Sequence, residues 1–270
     1  MALNIIAEIG ASHAKDYKAA QALCIAAMEG GATWVKLQTY TPDTISHKGA
    51  GVCPSGPWKG RPLYELYDEA HMPRDMQDKL ITWMKGAKIP WFSTPFSPED
   101  VDWLEERGCP MYKVSSFDRK NKPLINAVIR TKKRIIASDG MGNAVGDVIL
   151  RCVSQYPAYP KDYGLAKPPD STEWGISDHT MSSMLGVVAI GKGATWIEKH
   201  IKLNGDEVTP DAGFAADCTS FARQCATWHA AYEIATSTKH AKSSLAGIVP
   251  QLVVVDGKPL WRRVNHAEGK

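Results

Sequence analysis

The most informative part of the sequence for the fold is Gly175-Ile176-Ser177-Asp178-His179-Thr180, followed downstream by Thr195-Trp196-Ile197-Glu198-Lys199-His200. Residues 174–176 and 194–197 are rich in aromatic and β-branched side chains, which favours two short strands. Between them, residues 181–193 are apolar at helical spacing and end in glycine, which predicts a helix. The order strand, helix, strand predicts a βαβ unit whose two strands are parallel neighbours.

Two histidines, His179 and His200, fall at the carboxyl ends of these predicted strands. Neighbouring strands lie about 4.8 Å apart, so two imidazoles there can bind one metal ion. In parallel α/β folds, this edge of the sheet is also where ligands bind. A histidine near a strand end more often forms structural hydrogen bonds, and this is the alternative for each of them. The adjacent polar residues Asp178, Glu198 and Lys199 favour the metal site.

Six further segments have the composition of strands, at residues 4–10, 33–39, 90–95, 111–116, 134–138 and 148–153. Helical patterns lie mostly between them, at residues 17–31, 74–88, 97–108 and 122–130, with another at 219–237. Eight strands with intervening helices predict an α/β fold, the (β/α)8 TIM barrel. An open doubly wound sheet is the structural alternative, but no GxGxxG motif follows the first strand.

The predicted barrel domain occupies residues 1–240, and residues 241–270 form a C-terminal extension. Within the extension, residues 251–263 have the pattern of a β-hairpin that turns at Asp256-Gly257. Residues 41–71 interrupt the barrel repeat with many glycines and prolines, and we expect a long loop containing one short helix. Loops of this length are usually functional or disordered.

The composition excludes several classes of protein. The chain has 270 residues, and its 44% hydrophobic and 23% charged content is ordinary for a globular protein. A net charge of +3 is too small to indicate a nucleic-acid partner. The sequence has neither a run of about 18 apolar residues nor the pattern of a signal peptide. Six cysteines without CxxC spacing indicate reduced thiols, so we expect a cytoplasmic protein that binds no membrane.

In a barrel, the polar residues at the strand ends would face one site. Lys36 and Lys113 stand within apolar strands, where an unpaired charge is costly to bury, so both are candidates for anion binding. The alternative is that each reaches solvent or pairs with Glu8 or Asp118. The carboxylates Glu8, Asp118 and Asp211 could act as acid, base or hydroxyl clamp. The other strand-end residues are His13, Gln38, Ser93, Thr94, Ser115, Ser116, Ser138, Asp139, Ser154, His179 and His200. These residues predict a metal-assisted barrel enzyme that acts on a small anion.

Six short motifs in a fixed order carry a family resemblance. They are Ala7-Glu8-Ile9-Gly10-x-x-His13, Val35-Lys36-x-Gln38-Thr39, Ser93-Thr94-Pro95-Phe96, Tyr112-Lys113-Val114-x-Ser116, Ser177-Asp178-His179-Thr180 and Ile197-Glu198-Lys199-His200. With them the chain resembles the N-acylneuraminate (sialic acid) synthase family, which includes legionaminate and pseudaminate synthases. The resemblance covers residues 4–237, and the ordered set is specific although each motif alone is weak.

The resemblance implies an enzyme that condenses phosphoenolpyruvate with the aldehyde of an open-chain amino sugar such as N-acetylmannosamine. With water, the products are a 2-keto-3-deoxy sugar acid and phosphate, formed by C–O cleavage. It also implies a homodimer and a divalent metal, Mn²⁺ or Mg²⁺, on the positions matched by His179 and His200. A lyase or aldolase acting on another sugar and a catalytically silent binding subunit are the alternatives.

The resemblance also assigns roles to individual positions. Glu8 matches a carboxylate that meets the sugar, Asp118 matches a proposed base for water, and we count Lys113 with them as catalytic. Tyr156 and Asp211 match sugar-contacting positions. Positions that hold phosphoenolpyruvate are matched by Lys36, Thr94, Lys113, Ser116 and Ser177. The strand-end residues Gln38, Ser138 and Ser154 complete the predicted substrate-binding set, and Ser154 stands where relatives often have asparagine.

Several positions depart from the family pattern. Asp118 is one methylene shorter than the usual glutamate, so proton transfer could require a water relay. Ser12-His13-Ala14-Lys15 replaces a common Asn-His-x-Gly, and Thr209-Pro210-Asp211 replaces Gly-Pro-Asp. Residues 241–270 do not resemble the antifreeze-like domain that lends an arginine to the sugar site of a partner subunit. Binding of phosphoenolpyruvate is therefore better supported than recognition of a particular sugar.

Overall fold

Eight parallel strands from the described part of the chain close into a ring. They are β1 (Asn4–Glu8), β2 (Trp34–Thr39), β3 (Trp91–Pro95), β4 (Met111–Val114), β5 (Arg134–Ser138), β6 (Val148–Cys152), β7 (Glu173–Asp178) and β8 (Trp196–Lys202). Each strand pairs with the next, and β8 pairs back to β1 over the register Asn4↔Trp196 to Glu8↔His200. The predicted (β/α)8 barrel is therefore confirmed.

Helices surround this ring. The described residues form α1 (Tyr17–Glu29), α2 (Pro42–Ile45), α3 (Leu63–Ala70), α4 (Arg74–Gly86), α5 (Pro98–Glu106), α6 (Lys122–Arg130), α7 (Met184–Gly191) and α8 (Cys218–Thr236). Within those residues, no α-helix separates β5 from β6 or β6 from β7. The barrel is thus complete in its strands and less regular in its helices.

The structure is a computed structural model, and it divides into two compact units, Met1–Ala235 and Thr236–Lys270. It describes residues 2–139, 144–168, 173–206, 208–237, 248–255 and 258–265. No helix among them is long and apolar enough to cross a bilayer. In the second unit, β10 (Ile248–Val255) and β11 (Lys258–Asn265) pair antiparallel as a hairpin. The predicted turn at Asp256-Gly257 lies outside the described residues.

Local sequence explains where the elements begin and what they bury. The Asp16 side chain accepts hydrogen bonds from two backbone N–H groups of the first turn of α1, and the Ser97 side chain accepts one at the start of α5. Leu23 and Ala27 of α1 face the core. The strands are buried on both faces, as parallel strands covered by helices are, and every residue of β3 and β8 is buried.

The βαβ unit forms as predicted, with different limits. The helix is shorter than expected, because α7 spans Met184–Gly191. The second strand is longer and continues past His200 to Lys202. Its end pairs with a short strand outside the ring, β9 (Ala216–Asp217), which extends the ladder. His179 therefore directly follows β7, whereas His200 lies within β8.

Residues 41–71 contain more structure than the predicted loop with one short helix. Two helices, α2 and α3, bracket the segment, and a β-bridge between Val52 and Pro62 closes the loop that joins them. A backbone hydrogen bond from Cys53 N–H to the Arg61 carbonyl at 2.9 Å supports this closure. The loop follows β2, so it leaves the barrel at the carboxyl edge of the strands.

Candidate active site

Four buried charged residues form the centre of the site. Glu8 and Lys36 stand opposite each other in the β1–β2 register and form a direct ion pair. Glu198 of β8 lies between the two lysines, with Oε1 3.7 Å from Lys36 Nζ and Oε2 3.7 Å from Lys113 Nζ. All four side chains are at least nine-tenths buried. Of the two alternatives for the lysines, pairing is the observed arrangement, and Lys113 pairs with Glu198 rather than with Asp118.

Hydroxyl groups from neighbouring strands form hydrogen bonds with these charged side chains. Lys36 Nζ donates to Thr94 Oγ1 at 3.0 Å, and Lys113 Nζ donates to Ser138 Oγ at 2.7 Å. Ser177 Oγ donates to Glu198 Oε1 at 3.0 Å. Because side chains alternate along a strand, these residues point into the barrel and the residues next to them in sequence point outward. Strands β1 to β5, β7 and β8 thus all contribute polar groups to one centre.

The charges shift one another's pKa values. Burial alone would raise the pKa of Glu198, but Lys113 and Lys36 outweigh it and lower that pKa to about 2. Burial likewise opposes the charge of Lys36, yet Glu198 and Glu8 raise its pKa above the ordinary value. The pKa of Lys113 is lowered by its burial, with Lys36 adding to the effect. Glu198 is therefore ionised at neutral pH and holds the two lysines together.

The two histidines lie side by side, with ring centroids 5.7 Å apart. His179 Nδ1 is 2.8 Å from the Val153 carbonyl, and His200 Nδ1 is 3.1 Å from Asp211 Oδ2. Each Nδ1 thus has an acceptor, which places the lone pair on Nε2, as in histidines that bind metals. Burial, together with the nearby His200, lowers the pKa of His179 to about 3, so its imidazole is neutral.

These two histidines could hold a metal ion whose other coordination positions are not filled by the protein. Within the described residues, no group of three or more His, Cys, Asp and Glu side chains could hold a metal. An ion on His179 and His200 would therefore take its other ligands from water or substrate. His179 Nε2 is also 3.3 Å from Ser177 Oγ, so the hydroxyl next to Glu198 adjoins this position.

Asp211 connects the loop after β8 to the loop after β1. Its Oδ2 accepts the Ala11 N–H at 3.0 Å in addition to the contact with His200. Gly10 has a φ of +42°, and a Cβ at this position would overlap Asp211 Oδ2. Glycine is therefore required where the backbone approaches the carboxylate.

Asp118 lies at the edge of the site and is half-buried. It accepts a hydrogen bond from Ser115 Oγ at 2.6 Å. Burial raises its pKa, partly offset by Ser115 and Asn121. Nearby, Ser116 Oγ and Ser154 Oγ are 2.7 Å apart, which brings together two of the predicted substrate-binding hydroxyls. Gln38 is half-buried, two residues after Lys36 on β2 and therefore on the same face.

The sequence of the chain is similar to that of known proteins. Residues 23–240 match the model of the NeuB family. The chain belongs to the NeuB family. It is 35% identical over 241 residues to pseudaminic acid synthase from Helicobacter pylori, covering 81% of this chain and 71% of the relative. It is 30% identical over 238 residues to N,N'-diacetyllegionaminic acid synthase from Legionella pneumophila, covering 78% and 67%.

A solved structure shares the fold of this NeuB-family chain. N-acetylneuraminic acid synthetase from Leptospira borgpetersenii aligns with a TM-score of 0.77 at 23% identity, over 90% of this chain and 88% of that one. The match to the family model and the relatives of 30% identity or more confirm the family that the six motifs predict.

Three aromatic side chains, Tyr156, Trp58 and Phe214, form an aromatic wall in this NeuB-family site. None of them belongs to the six motifs. Tyr156 stacks on His179, with centroids 4.2 Å apart and ring planes at 30°. Trp58 packs against Tyr156 at 5.4 Å and Phe214 at 5.7 Å, and its Nε1 donates to the Pro210 carbonyl at 2.9 Å. Trp58 belongs to the loop between α2 and α3, whose sequence has no periodicity that could have placed it.

A second residue outside the predicted set holds the histidine loop. The Tyr163 hydroxyl donates to the Ser177 carbonyl at 2.7 Å and accepts the His179 N–H at 3.0 Å. Both contacts are to backbone atoms at the end of β7. Tyr163 therefore fixes the position from which His179 extends, and a proline- and tyrosine-rich loop gave no specific signal for this role.

Proposed function

We propose that this NeuB-family chain is a sialic acid synthase-type enzyme. It condenses phosphoenolpyruvate with the aldehyde of an open-chain amino sugar and water, giving a 2-keto-3-deoxy sugar acid and phosphate. The observation that carries the proposal is the buried Lys36 and Lys113 pair, held by Glu8 and Glu198 beside two oriented histidines. The relatives named as pseudaminic and legionaminic acid synthases support a sugar acid as the product.

The donor subsite lies around the lysines. Lys36 and Lys113 provide positive charge in a water-poor environment, where charge-assisted hydrogen bonds to an anion are strong. The hydroxyls that already contact this cluster can turn toward the carboxylate or the phosphate of the ligand, because a hydroxyl both donates and accepts. They belong to Thr94, Ser138 and Ser177. The hydroxyls of Ser116 and Ser154, which contact each other, complete the predicted set.

The acceptor subsite lies on the side formed by the loops after β1 and β8. Glu8 and Asp211 offer carboxylates to sugar hydroxyls, and Gln38 offers an amide on the same face of β2 as Lys36. The wall of Tyr156 and Trp58 supplies an apolar surface for the carbon face of the acceptor. Such a mixed surface suits an open-chain amino sugar better than a planar or fully apolar aldehyde.

A divalent metal, Mn²⁺ or Mg²⁺, would bind to His179 and His200, and oxygen atoms of water and substrate, the ligands that both ions prefer, would occupy its remaining positions. When bound, such an ion polarises an aldehyde oxygen as a Lewis acid. We expect His179→Ala and His200→Ala to abolish metal retention and leave the thermal melt intact. Either variant retaining metal in elemental analysis after dialysis would rule out this assignment.

In the reaction, C3 of phosphoenolpyruvate forms a bond to the aldehyde carbon, and positive charge develops at C2. Glu8 stabilises this charge electrostatically. Asp118, whose pKa burial raises, takes a proton from the water that adds to C2, directly or through a second water. The π bond of the aldehyde breaks as C3 attacks, and the resulting alkoxide gains one proton of the added water. The C2–O bond then breaks, so the bridging oxygen leaves with phosphate. The hydroxyl on C2 gives its proton to the phosphate, and C2 becomes the ketone of the product.

A phosphate-release assay tests the proposal. Phosphoenolpyruvate and Mn²⁺ are supplied with the amino-sugar aldehydes that precede neuraminic, legionaminic and pseudaminic acids. We expect aldehyde-dependent release that Lys36→Met and Lys113→Met abolish, with a matched control in the exposed Lys122→Met, which stays active. Phosphate release that needs no aldehyde, or no release with any of them, would contradict the proposal.

We further propose that the enzyme works in the cytoplasm as a homodimer. All six cysteines are free thiols, and five of the six are buried, which supports a reducing compartment. Light scattering at micromolar concentration tests the assembly, and a monomer there would refute the dimer.

A further inference from the structure

Arg119 lies in the turn that follows β4, one residue after Asp118. Its Nη1 donates to the Ser116 carbonyl at 2.6 Å, and the side chain is half-buried. Among the residues that the structure describes, no carboxylate forms an ion pair with Arg119, although most other buried cations of the barrel have one. The guanidinium therefore lies at the rim of the site with its charge not neutralised by the protein.

The site is short of positive charge for its proposed donor. Its fully buried charged side chains are two lysines, Lys36 and Lys113, and three carboxylates, Glu8, Glu198 and Asp211. Two positive and three negative charges leave a net charge of minus one before any ligand binds. A phosphate monoester that also carries a carboxylate brings roughly two to three further negative charges. A divalent ion would offset only part of this excess, so another cation near the phosphate would favour binding.

The position of Arg119 matches the phosphate side of the site. The carbonyl that holds its Nη1 belongs to Ser116, whose hydroxyl contacts Ser154 and lies after the strand that carries Lys113. Of the carboxylates assigned to the acceptor, Glu8 lies at the end of β1 and Asp211 in the loop after β8. With Nη1 occupied, Nε and Nη2 remain available, and the planar fork of arginine suits two phosphate oxygens at once.

We propose that Arg119 is a substrate-binding residue that contacts the phosphate group of phosphoenolpyruvate. The proposal rests on the proposed function, because it names one more contact of the same donor subsite. A purely structural role is the competing explanation, in which the hydrogen bond to Ser116 only stabilises the turn. The two roles differ in what the side chain does for ligand affinity.

Calorimetric titration of the full chain with phosphoenolpyruvate, at fixed ionic strength and with Mn²⁺ present, separates these roles. Arg119→Ala is compared with Lys120→Ala, which removes the same charge from the exposed neighbour in the same turn. We expect Arg119→Ala to weaken binding roughly 10- to 100-fold, the loss of one charge-assisted hydrogen bond. The affinity of Arg119→Lys for phosphoenolpyruvate should lie between those of Arg119→Ala and the wild type. The affinity of Lys120→Ala should equal that of the wild type.

Steady-state kinetics provide the second readout. Arg119→Ala should raise KM for phosphoenolpyruvate and leave KM for the aldehyde unchanged, which a general loosening of the turn would not do. If Arg119→Ala and Lys120→Ala bound phosphoenolpyruvate equally well, the proposed role of Arg119 would be wrong, whereas the proposed function would be unaffected. A wild-type chain that binds no phosphoenolpyruvate would refute both this role and the proposed function, whereas binding without condensation would refute only the function.

Discussion

Glu198→Gln tests whether the buried charge network is organised around one carboxylate. The substitution keeps the shape of the side chain and removes its charge, which leaves Lys36 and Lys113 with Glu8 as the remaining buried partner. Each ion pair at 3.7 Å is worth about 4 kcal/mol at an effective dielectric constant near 20, before the cost of desolvation. Removing one member of a buried pair typically costs about 3–5 kcal/mol. We therefore expect a loss of about 3 kcal/mol or more in the free energy of unfolding.

Urea unfolding followed by tryptophan fluorescence measures this loss at pH 7. The matched control is Glu106→Gln on the exposed end of α5, where a surface carboxylate contributes less than about 1 kcal/mol. The double variant Glu198→Gln with Lys113→Met should recover part of the stability, because it also removes an unpaired buried cation. A Glu198→Gln protein within about 0.5 kcal/mol of the wild type would refute the reasoning.

Three further predictions concern other parts of the barrel. Trp58→Ala should raise KM for the aldehyde about tenfold and leave KM for phosphoenolpyruvate unchanged, because it removes part of the aromatic wall of the acceptor subsite. Equal changes in the two KM values would argue against this role of Trp58. Gly175→Ala should cost about 3 kcal/mol or more in urea unfolding, because an added Cβ would overlap the Trp196 carbonyl, whereas Gly191→Ala meets nothing and should be tolerated. The pKa of Asp217 is lowered because its carboxylate accepts hydrogen bonds from the N–H and the hydroxyl of Ser220 at the start of α8. This helix cap should stabilise the protein by about 1 kcal/mol at neutral pH and should be lost as the pH falls below 3.8. If Asp217→Ala were still less stable than the wild type below that pH, the prediction would be wrong.

Much of the fold followed from local patterns. The strands and helices around His179 could be predicted, because hydrophobic period and glycine stops are properties of a few consecutive residues. The length of β8 could not, since it depends on pairing with β9 far along the chain. For the same reason His200 lies inside its strand rather than at the end.

The site was harder to predict where its residues act through distant partners. Glu198 was visible only as a polar neighbour of His200, because its two lysines come from β2 and β4. Trp58 gave no signal at all, since it lies in an aperiodic loop. Contacts of this kind appear only when the barrel brings separate loops to one edge.

In the proposed reaction, the chain joins phosphoenolpyruvate to an aldehyde with cleavage of the C–O bond. Phosphoenolpyruvate with heavy oxygen in the bridging position, incubated with Mn²⁺ and an accepted amino-sugar aldehyde, tests it by mass spectrometry of both products. The label should leave in phosphate, one equivalent for each sugar acid formed, and only when the aldehyde is present. Label retained in the keto acid, or labelled phosphate released without the aldehyde, would contradict the account.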